Sequence, residues 1–561
     1  MKNASGLPAW TAGIALAVGL AACSKAPENA APGPTALAQT PTAAATTTAA
    51  PGPSGNAAQA AGIAWREASS DAEVDAAFRE AQARSKPVFL YWGAGWCPPC
   101  NQVKATLFNR QDFIERSRAF VPVYVDGDRP GAQKLGARFR VNGYPTMVLF
   151  RPDGTELTRL PGEVEPARYL EVVTLGINAR RPVKEVLADA RSGAAGLTPA
   201  DWRLLAFYSW DTDDQQLLPR RDVPAVLKQL AAACPGTEGD AATRLWLKAL
   251  AASDDAGKAG VDADAGRLLG LLRDDAVARS HFDVLANNAA EIARATSARG
   301  TKERQRIAEA LDRTLLRFQA DSTLSWADRI GALVARVDLA RIDEAKPDSA
   351  ASGGSAPAAP VGAPLLADVR AAVARADREV NDGYERQSVI TSAAYLLGHA
   401  GLPEESDALL LANLSKSHSP YYLMTGLAEN AAQRGDGNTA LRWHREAYEK
   451  SEGPATRLQW GARYLGALVK FAPQDEAAIG RLSTPLLDEA AAQPNVFYER
   501  SARSLRRVST QLRDWNRKGA HAAALRSFDE RLAAICARLD AADGQRATCE
   551  ALGKPEPKKD G

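Results

Sequence analysis

The feature of this sequence that most constrains its fold is a Cys-Pro-Pro-Cys motif between an apolar strand and a helix. Val88–Trp92 is a continuous run of large, mostly apolar side chains, which predicts a strand buried on both faces of a sheet. Cys97 and Cys100 follow it, and a helix is predicted to begin at Pro98. Because a cysteine at a helix N-terminus faces unpaired backbone N–H groups, this position favours the reactive thiolate of Cys97. The motif therefore predicts a redox-active dithiol.

Strands and helices alternate through residues 63–178. Their predicted order is β-α-β-α-β-α-β-β-α, with the first strand at Ile63–Trp65. The last two strands are joined by Arg151–Gly154, in which Asp-Gly is typical of a hairpin turn. This order predicts an α/β domain with a mixed sheet covered by helices.

Further residues around the motif carry a resemblance to a known family. Trp96 directly precedes the cysteines, Lys86-Pro87-Val88 leads into the buried strand, and Gly143-Tyr144-Pro145-Thr146 leads into a later strand. With these residues, the segment 63–178 resembles the thioredoxin superfamily. It is most similar to the C-terminal thioredoxin-like domain of thiol:disulfide interchange reductases.

The resemblance implies a thioredoxin fold and a catalytic role for both cysteines. Cys97 would attack a substrate disulfide and Cys100 would resolve the mixed disulfide, with no cofactor other than the redox-active disulfide between them. Pro145 matches the family's cis-proline, which places the preceding backbone beside a substrate strand. The implied substrate groove is formed by Trp96, Tyr144, Pro145 and Gly162. Simple packing is the alternative role for Trp96.

The chain departs from this family at two positions that could tune the thiol pKa values. Many relatives carry a buried acid six residues before the first cysteine, where this chain has Tyr91. The reductase domain has an acid four residues after the second cysteine, where this chain has Lys104. A lysine one helical turn from Cys100 would favour its thiolate. The simpler interpretation of Lys104 is a solvated surface lysine.

The N-terminus has the pattern of an export signal. Residues 1–22 combine a basic start with an apolar run of eleven residues, Trp10–Leu20, which is too short to span a bilayer. Small residues before Cys23 resemble a bacterial lipoprotein signal, which implies lipid attachment to Cys23 and an outer-membrane location facing the periplasm. An ordinary secretory signal is the alternative. Residues 23–62 are rich in Ala, Pro and Thr, which predicts a disordered tether.

The rest of the chain is predicted to be helical. Two helical regions, 180–345 and 365–555, flank a low-complexity loop at 346–364. Ala394, Gly401 and Ser406 recur with a period of 34 residues as Ala428, Gly435 and Ala440, as in tetratricopeptide helix pairs. The repeat favours an α-solenoid that binds protein. Chance, or a generic helical hairpin, remains the alternative.

The remaining polar and sulfur-containing residues predict no metal or nucleic-acid site. Cys536 and Cys549 flank a turn and could form a structural disulfide, while Cys234 is predicted to be a buried free thiol. The five histidines are scattered, and no pair has metal-ligand spacing. The 69 basic and 67 acidic residues nearly cancel, which gives no support to nucleic-acid binding.

Together these features predict an envelope thiol-disulfide oxidoreductase that reduces protein disulfides. It would need an unidentified electron donor, and the lipid on Cys23 would hold it to a membrane. One alternative is a helical-repeat scaffold or assembly lipoprotein with a minor or regulatory thioredoxin domain. Another is a thioredoxin-like reductase of cytochrome c maturation. That branch usually carries an insert after the central strand, and Val125–Pro130 leaves no room for one.

Overall fold

The computed structural model describes residues 62–162, 165–193, 196–213, 216–253, 261–344 and 359–554. The predicted signal peptide, Cys23 and the predicted tether up to residue 61 lie outside the described residues. The predicted loop 346–364 is described only from residue 359, and a helix already begins there at Ala363.

A five-stranded mixed sheet forms the centre of the N-terminal region. Its strands are β1 (Arg66–Glu67), β2 (Val88–Gly93), β3 (Val121–Asp126), β4 (Thr146–Phe150) and β5 (Glu156–Leu160). They lie in the order β1-β3-β2-β4-β5, with β1, β3 and β2 parallel and β4 and β5 antiparallel to their neighbours. The central position of β2 explains its apolar run, because all six of its residues are buried. The predicted mixed sheet is confirmed.

Helices cover both faces of this sheet. They are α1 (Asp71–Ala83), α2 (Pro98–Val103), α3 (Gln111–Arg116), α4 (Ala132–Phe139) and α5 (Pro166–Ile177). α1 begins at a capping box in which Ser70 and Glu73 satisfy each other's backbone N–H groups. α2 continues through a π-helical turn, Lys104–Phe108.

The first strand lies later than its apolar residues predicted. β1 pairs with β3 only at Arg66 and Glu67, not at Ile63–Trp65. The Trp65 ring instead packs against Phe108, with its centroid 5.1 Å away. The apolar side chain therefore anchors this edge of the sheet, while the two polar residues after it make the ladder.

Everything described after residue 180 is helical or connects helices, which confirms the predicted helical region. Its helices are α6 (Val183–Ser192), α7 (Pro199–Ala206), α8 (Val223–Ala233), α9 (Gly239–Ala251), α10 (Val261–Leu271), α11 (Asp275–Ser280), α12 (Phe282–Asn287), α13 (Ala289–Thr296), α14 (Lys302–Ala320), α15 (Trp326–Ala340), α16 (Ala363–Glu379), α17 (Gly383–His399), α18 (Pro403–Asn413), α19 (Pro420–Gln433), α20 (Gly437–Lys450), α21 (Pro454–Phe471), α22 (Glu476–Ala491), α23 (Glu499–Trp515), α24 (Ala522–Cys536) and α25 (Gly544–Leu552). None of the described helices is long and apolar enough to cross a membrane.

The residues of the 34-residue repeat lie at equivalent places in two helical hairpins. Gly401 joins α17 to α18, and Gly435 joins α19 to α20. Both glycines have positive φ angles, 91° and 79°, which glycine adopts without a steric penalty. The small residues that flank them are buried. The period therefore corresponds to a helix pair in each unit.

The C-terminal hairpin of α24 and α25 contains a second disulfide. Cys536 is bonded to Cys549, and both lie in the apolar core of the last helices. Cys234 is a buried free thiol, and burial raises its pKa to about 11.

Candidate redox site

The two cysteines of the motif form a disulfide at the N-terminus of α2. Cys97 is the N-cap residue, and its Sγ accepts the backbone N–H of Cys100 at 3.2 Å. The two prolines occupy the first helical positions, where an N–H would have no helical partner. A donor aimed at Sγ stabilises negative charge on that sulfur, as the attacking thiolate requires.

A buried asparagine, which the sequence did not single out, holds the motif from within α2. Asn101 is fully buried, and its side-chain amide donates to the carbonyl oxygens of Gly95 (2.8 Å) and Cys97 (3.0 Å). These two bonds fix the loop that enters the helix. An amide directly after the second cysteine is the only sequence signal for this role.

The loop between α4 and β4 lies against the disulfide. The Tyr144–Pro145 peptide bond is cis, and Cys97 Sγ lies 3.6 Å from the carbonyl oxygen of Tyr144. A Cβ built on Gly162 would lie 3.6 Å from the Pro145 ring. The structure therefore brings the predicted groove residues Tyr144, Pro145 and Gly162 together with the dithiol.

Tyr91 lies in the core under the site rather than in contact with solvent. It is 1% exposed, and its hydroxyl has no hydrogen-bond partner within the described part of the chain. Its ring stacks on Tyr124 at 5.3 Å. Burial raises its pKa well above the usual value for tyrosine. The side chain is therefore neutral where many relatives carry an acid.

Lys104 is half-buried between two aromatic rings. Its Nζ lies 5.6 Å from the ring centre of Tyr124 and 5.3 Å from that of Tyr384 in α17. Burial lowers the Lys104 pKa, and the negative charge of Asp126 opposes this shift. The environment differs from that of a lysine in open solvent.

Asp126 is an acidic neighbour of the site that the sequence interpretation missed. It ends β3 and pairs in register with Gly93 at the end of β2. Burial raises the pKa of its carboxyl, while the backbone N–H of Asp128 and the charge of Lys104 act in the opposite direction. The sequence signal for Asp126 was its place at the C-terminal end of a parallel strand. Such strand ends lie together along one edge of a sheet, which is the edge that carries the motif.

Trp96 is held by a second aspartate. Its indole Nε1–H donates to Asp128 Oδ2 at 2.9 Å. Oδ1 of the same carboxylate accepts the backbone N–H (2.9 Å) and the hydroxyl (2.6 Å) of Thr456, and also the Arg500 guanidinium. Asp128 therefore caps the N-terminus of α21 and joins the helical region to the tryptophan of the motif.

Residues of the helical region complete the surroundings of Trp96. Tyr422 stacks on its ring at 5.8 Å, and Trp460 contacts it edge-on at 5.3 Å. The Arg500 guanidinium lies over both Trp96 (5.1 Å) and Tyr144 (5.4 Å). No local sequence pattern marks these residues, because only the tertiary fold brings them to the motif.

No cluster of three or more metal-ligating side chains occurs among the residues that the structure describes. The cysteine pair can perform nucleophilic attack by one sulfur and disulfide formation with the other.

Comparison with known proteins agrees with this geometry. Residues 74–175 match the family model described as a thioredoxin-like domain. This segment is a thioredoxin-like domain. The thiol:disulfide interchange protein DsbD 1 of Pseudomonas aeruginosa is 30% identical over 111 residues, which is 19% of this chain and 19% of that protein. The DsbD proteins of Pseudomonas fluorescens and Klebsiella pneumoniae are each 30% identical over 115 residues, 20% of this chain and 20% and 19% of theirs.

The thioredoxin-like domain is also similar to a solved structure. A thioredoxin from Thermus thermophilus, determined in solution, is 28% identical, with 21% of this chain and 92% of that chain covered and a TM-score of 0.19. The chain spans about a fifth of the length of the curated relatives it matches.

Proposed function

We propose that this protein is a thiol-disulfide oxidoreductase that reduces disulfides in protein substrates. The observation that carries the proposal is the Cys97–Cys100 pair at a helix N-terminus beside the cis-proline loop of a thioredoxin-like domain. Only Cys97 has its sulfur against the carbonyl oxygen of Tyr144, at the edge where a substrate would pair. Cys100 is fully buried behind it. Cys97 is therefore the attacking residue and Cys100 the resolving residue.

The proposed reaction moves two electrons through the cysteine pair. The Cys97 thiolate attacks one sulfur of the substrate disulfide, whose S–S bond breaks, and the leaving sulfur takes up a proton. Cys100 loses its proton and attacks Cys97 Sγ in the mixed disulfide, which releases the second substrate sulfur as a thiolate. The substrate is reduced and the Cys97–Cys100 disulfide is formed. A donor dithiol must then reduce this disulfide for the next cycle.

Two cysteine variants test the assignment of roles. The Cys100→Ser protein should accumulate a mixed disulfide between Cys97 and a disulfide-containing protein, detected on non-reducing gels and by peptide mapping. The Cys97→Ser protein should accumulate none. Equal trapping by both variants would reject the assigned order, and no reaction of the reduced wild-type protein with any disulfide would reject the function.

The redox potential tests the direction of electron flow. A value near or below about −230 mV, against a glutathione series, supports a reductase. A value of about −180 mV or higher would instead indicate an oxidase or isomerase and would reverse the proposed direction.

We also propose that the protein works in the cell envelope, held to the outer membrane by a lipid on Cys23. The support is the apolar run and the small residues before Cys23. Metabolic labelling with a fatty acid should mark the wild-type protein and leave the Cys23→Ser variant unlabelled. Equal labelling of the wild-type and Cys23→Ser proteins would contradict lipid attachment to Cys23.

Lys104 is proposed to promote the resolving step. Its ammonium group is held between two rings one turn after Cys100, so its charge favours the Cys100 thiolate. Replacing Lys104 by Met, which keeps an unbranched side chain of similar size and removes the charge, should slow release of the mixed disulfide by about threefold to tenfold at neutral pH, as a shift of about 0.5–1 pKa unit implies. Single-turnover kinetics measure this step. An unchanged rate would show that the charge has no such role.

A further inference from the structure

The helical region closes one side of the substrate groove. Tyr422 from α19 and Trp460 from α21 contact the Trp96 ring at 5.8 and 5.3 Å. In an isolated thioredoxin-like domain the Trp96 ring would border an open groove, whereas here its outer faces are covered. Arg500 from α23 lies over the Trp96 and Tyr144 rings and extends this cover to the cis-proline loop.

Further contacts place helices beside the catalytic helix α2. Gln102 donates to Asp328 of α15 at 3.0 Å, and Tyr384 of α17 lies on Lys104. The segment between α18 and α19 reaches the motif itself, because His418 Nε2 lies 3.0 Å from the carbonyl oxygen of Gly95. Several separate helices therefore surround the motif.

Tyr422, Trp460 and Arg500 form a helical wall around Trp96, and buried polar bonds fix this wall in place. The side chains of Arg500 and Asp128 form an ion pair and are only 9% and 14% exposed. The backbone N–H of Arg500 donates to Gln133 of α4 at 2.9 Å, and Arg503 donates to the carbonyl oxygen of Asn142 at 3.0 Å. Separating the wall from the domain would leave a buried charge without its partner, which is costly.

The opposite side of the groove stays open. Pro99 and Gly143 are exposed, and Pro145 and Gly162 are half-buried. Cys97 itself is 2% exposed. A substrate must therefore approach along the edge formed by the cis-proline loop and Gly162, and it must be thin enough to reach a recessed sulfur.

From this geometry we propose that the helical wall determines substrate specificity. The wall, defined by Tyr422, Trp460 and Arg500 around Trp96, admits disulfides in extended, unfolded segments and excludes disulfides on the rigid surface of a folded domain. This inference rests on the proposed function and deepens it, because it names the conformation of the substrate. Oxidised, incompletely folded polypeptides are the substrate class that fits.

The test compares one disulfide-containing domain in two forms, folded and permanently unfolded by a core substitution. The reduced full-length protein is mixed with each form, and each second-order rate is divided by the rate of the same substrate with dithiothreitol. The normalised rate should be at least about tenfold higher for the unfolded form. In the Tyr422→Ala and Arg500→Gln variants the two normalised rates should approach each other. Tyr395→Ala is the matched control, since Tyr395 is 59% exposed on α17 and should leave the preference unchanged.

A second measurement does not depend on how the variants fold. Reduced wild-type protein is alkylated with a small maleimide and, separately, with the same maleimide on a long polyethylene glycol chain. The rate of each reagent with the protein is divided by its rate with glutathione. The bulky reagent should react at least about tenfold more slowly with Cys97. Equal normalised rates for folded and unfolded substrates, or for both reagents, would overturn the proposed role of the wall in specificity and would leave the proposed function intact. Failure to reduce even the unfolded substrate would reject the proposed function itself.

Discussion

His281 is a neutral base buried in a charged part of the helical region. It is 1% exposed and lies near Asp240, Arg244 and Asp283. Burial is the main cause that lowers its pKa from 6.5 to about 4, with the Arg244 charge acting in the same direction and Asp240 opposing it. The folded protein therefore holds this imidazole uncharged at pH values where the unfolded chain binds a proton.

This difference predicts a loss of stability in mild acid. Between about pH 6.5 and pH 4 the unfolded state binds more protons at His281, so the free energy of unfolding falls as the pH falls. Well above pH 6.5 His281 is neutral in both states and causes no loss. By pH 5 its protonation in the unfolded state should have lowered the free energy of unfolding by about 2 kcal/mol. Urea unfolding at pH 7 and pH 5 measures the change.

A neutral replacement separates this effect from general acid sensitivity. His281→Gln should reduce the difference between the two pH values, whatever its effect on stability at pH 7. A pH dependence as large in His281→Gln as in the wild type would assign the effect to other groups.

At the same scale, the sequence was sufficient to place residues whose position depends on their chain neighbours. Cys97, Cys100 and Pro145 were identified because the strand, the helix start and the following strand are local patterns. The environment of Lys104 could not be identified in this way, because one of the two rings that contact it belongs to Tyr384 in α17. A sequence shows that a lysine follows the second cysteine by one turn, but not what buries it.

Among the elements, α21 begins in an unusual way. Gly453 is its N-cap residue, with φ 83° and ψ 137°, a backbone conformation that is nearly restricted to glycine. A Cβ at this position would lie 2.7 Å from Asp128 Cβ, closer than such atoms approach. The glycine thus allows the helix N-terminus to approach the aspartate that caps it.

Replacing Gly453 by Ala should therefore be costly. We expect a loss of about 2–3 kcal/mol in the free energy of unfolding, from the backbone conformation and the clash together. Gly480→Ala, within α22 and with nothing within 4 Å of the added methyl group, should be neutral or stabilise by up to about 1 kcal/mol. Urea unfolding compares the two. Similar effects of both substitutions would show that the approach to Asp128 is not a constraint.

The elements that were predicted best are those with a continuous local pattern. β2 was predicted from its apolar run, and the β4–β5 hairpin from its Asp-Gly turn. The prediction of β1 was wrong, because the strand begins three residues later, at Arg66. The apolar side chains of Ile63–Trp65 mark where the segment packs and not where it pairs. In this two-residue edge strand, the residues that pack against the core are not the residues that pair with β3.

The whole molecule is held together by contacts between regions that are far apart in the sequence. The apolar core on the Phe89 side of the sheet continues into α6–α9. Near the dithiol, α19, α21 and α23 contact Trp96 and Asp128. The helical content of the C-terminal region was predicted, and the 34-residue period indicated helix pairs within it. Its docking on the redox site was not, because the contacting residues are ordinary aromatic, arginine and threonine residues of amphipathic helices.

The Asp128 carboxylate joins the two regions directly. Its carboxylate accepts hydrogen bonds from Trp96, Thr456 and Arg500, and it is 14% exposed. Asp128→Ala leaves the Arg500 charge buried without its partner, so we expect it to weaken the association of the two regions by about 3 kcal/mol. Because each 1.4 kcal/mol is a factor of ten, amides that exchange by local separation should exchange about 100-fold faster.

Hydrogen exchange measured by mass spectrometry can follow both sides of the contact at once. Peptides that cover residues 127–131 and 453–458 should lose protection together in Asp128→Ala, since one carboxylate stabilises both segments. Glu171→Ala is the control, because this side chain is 75% exposed and makes only a 3.9 Å ion pair with Arg168. Faster exchange confined to residues 127–131 would show that α21 keeps its place without Asp128. In that case the aromatic contacts of Tyr422 and Trp460 with Trp96 would be sufficient to hold the helical region on the redox site.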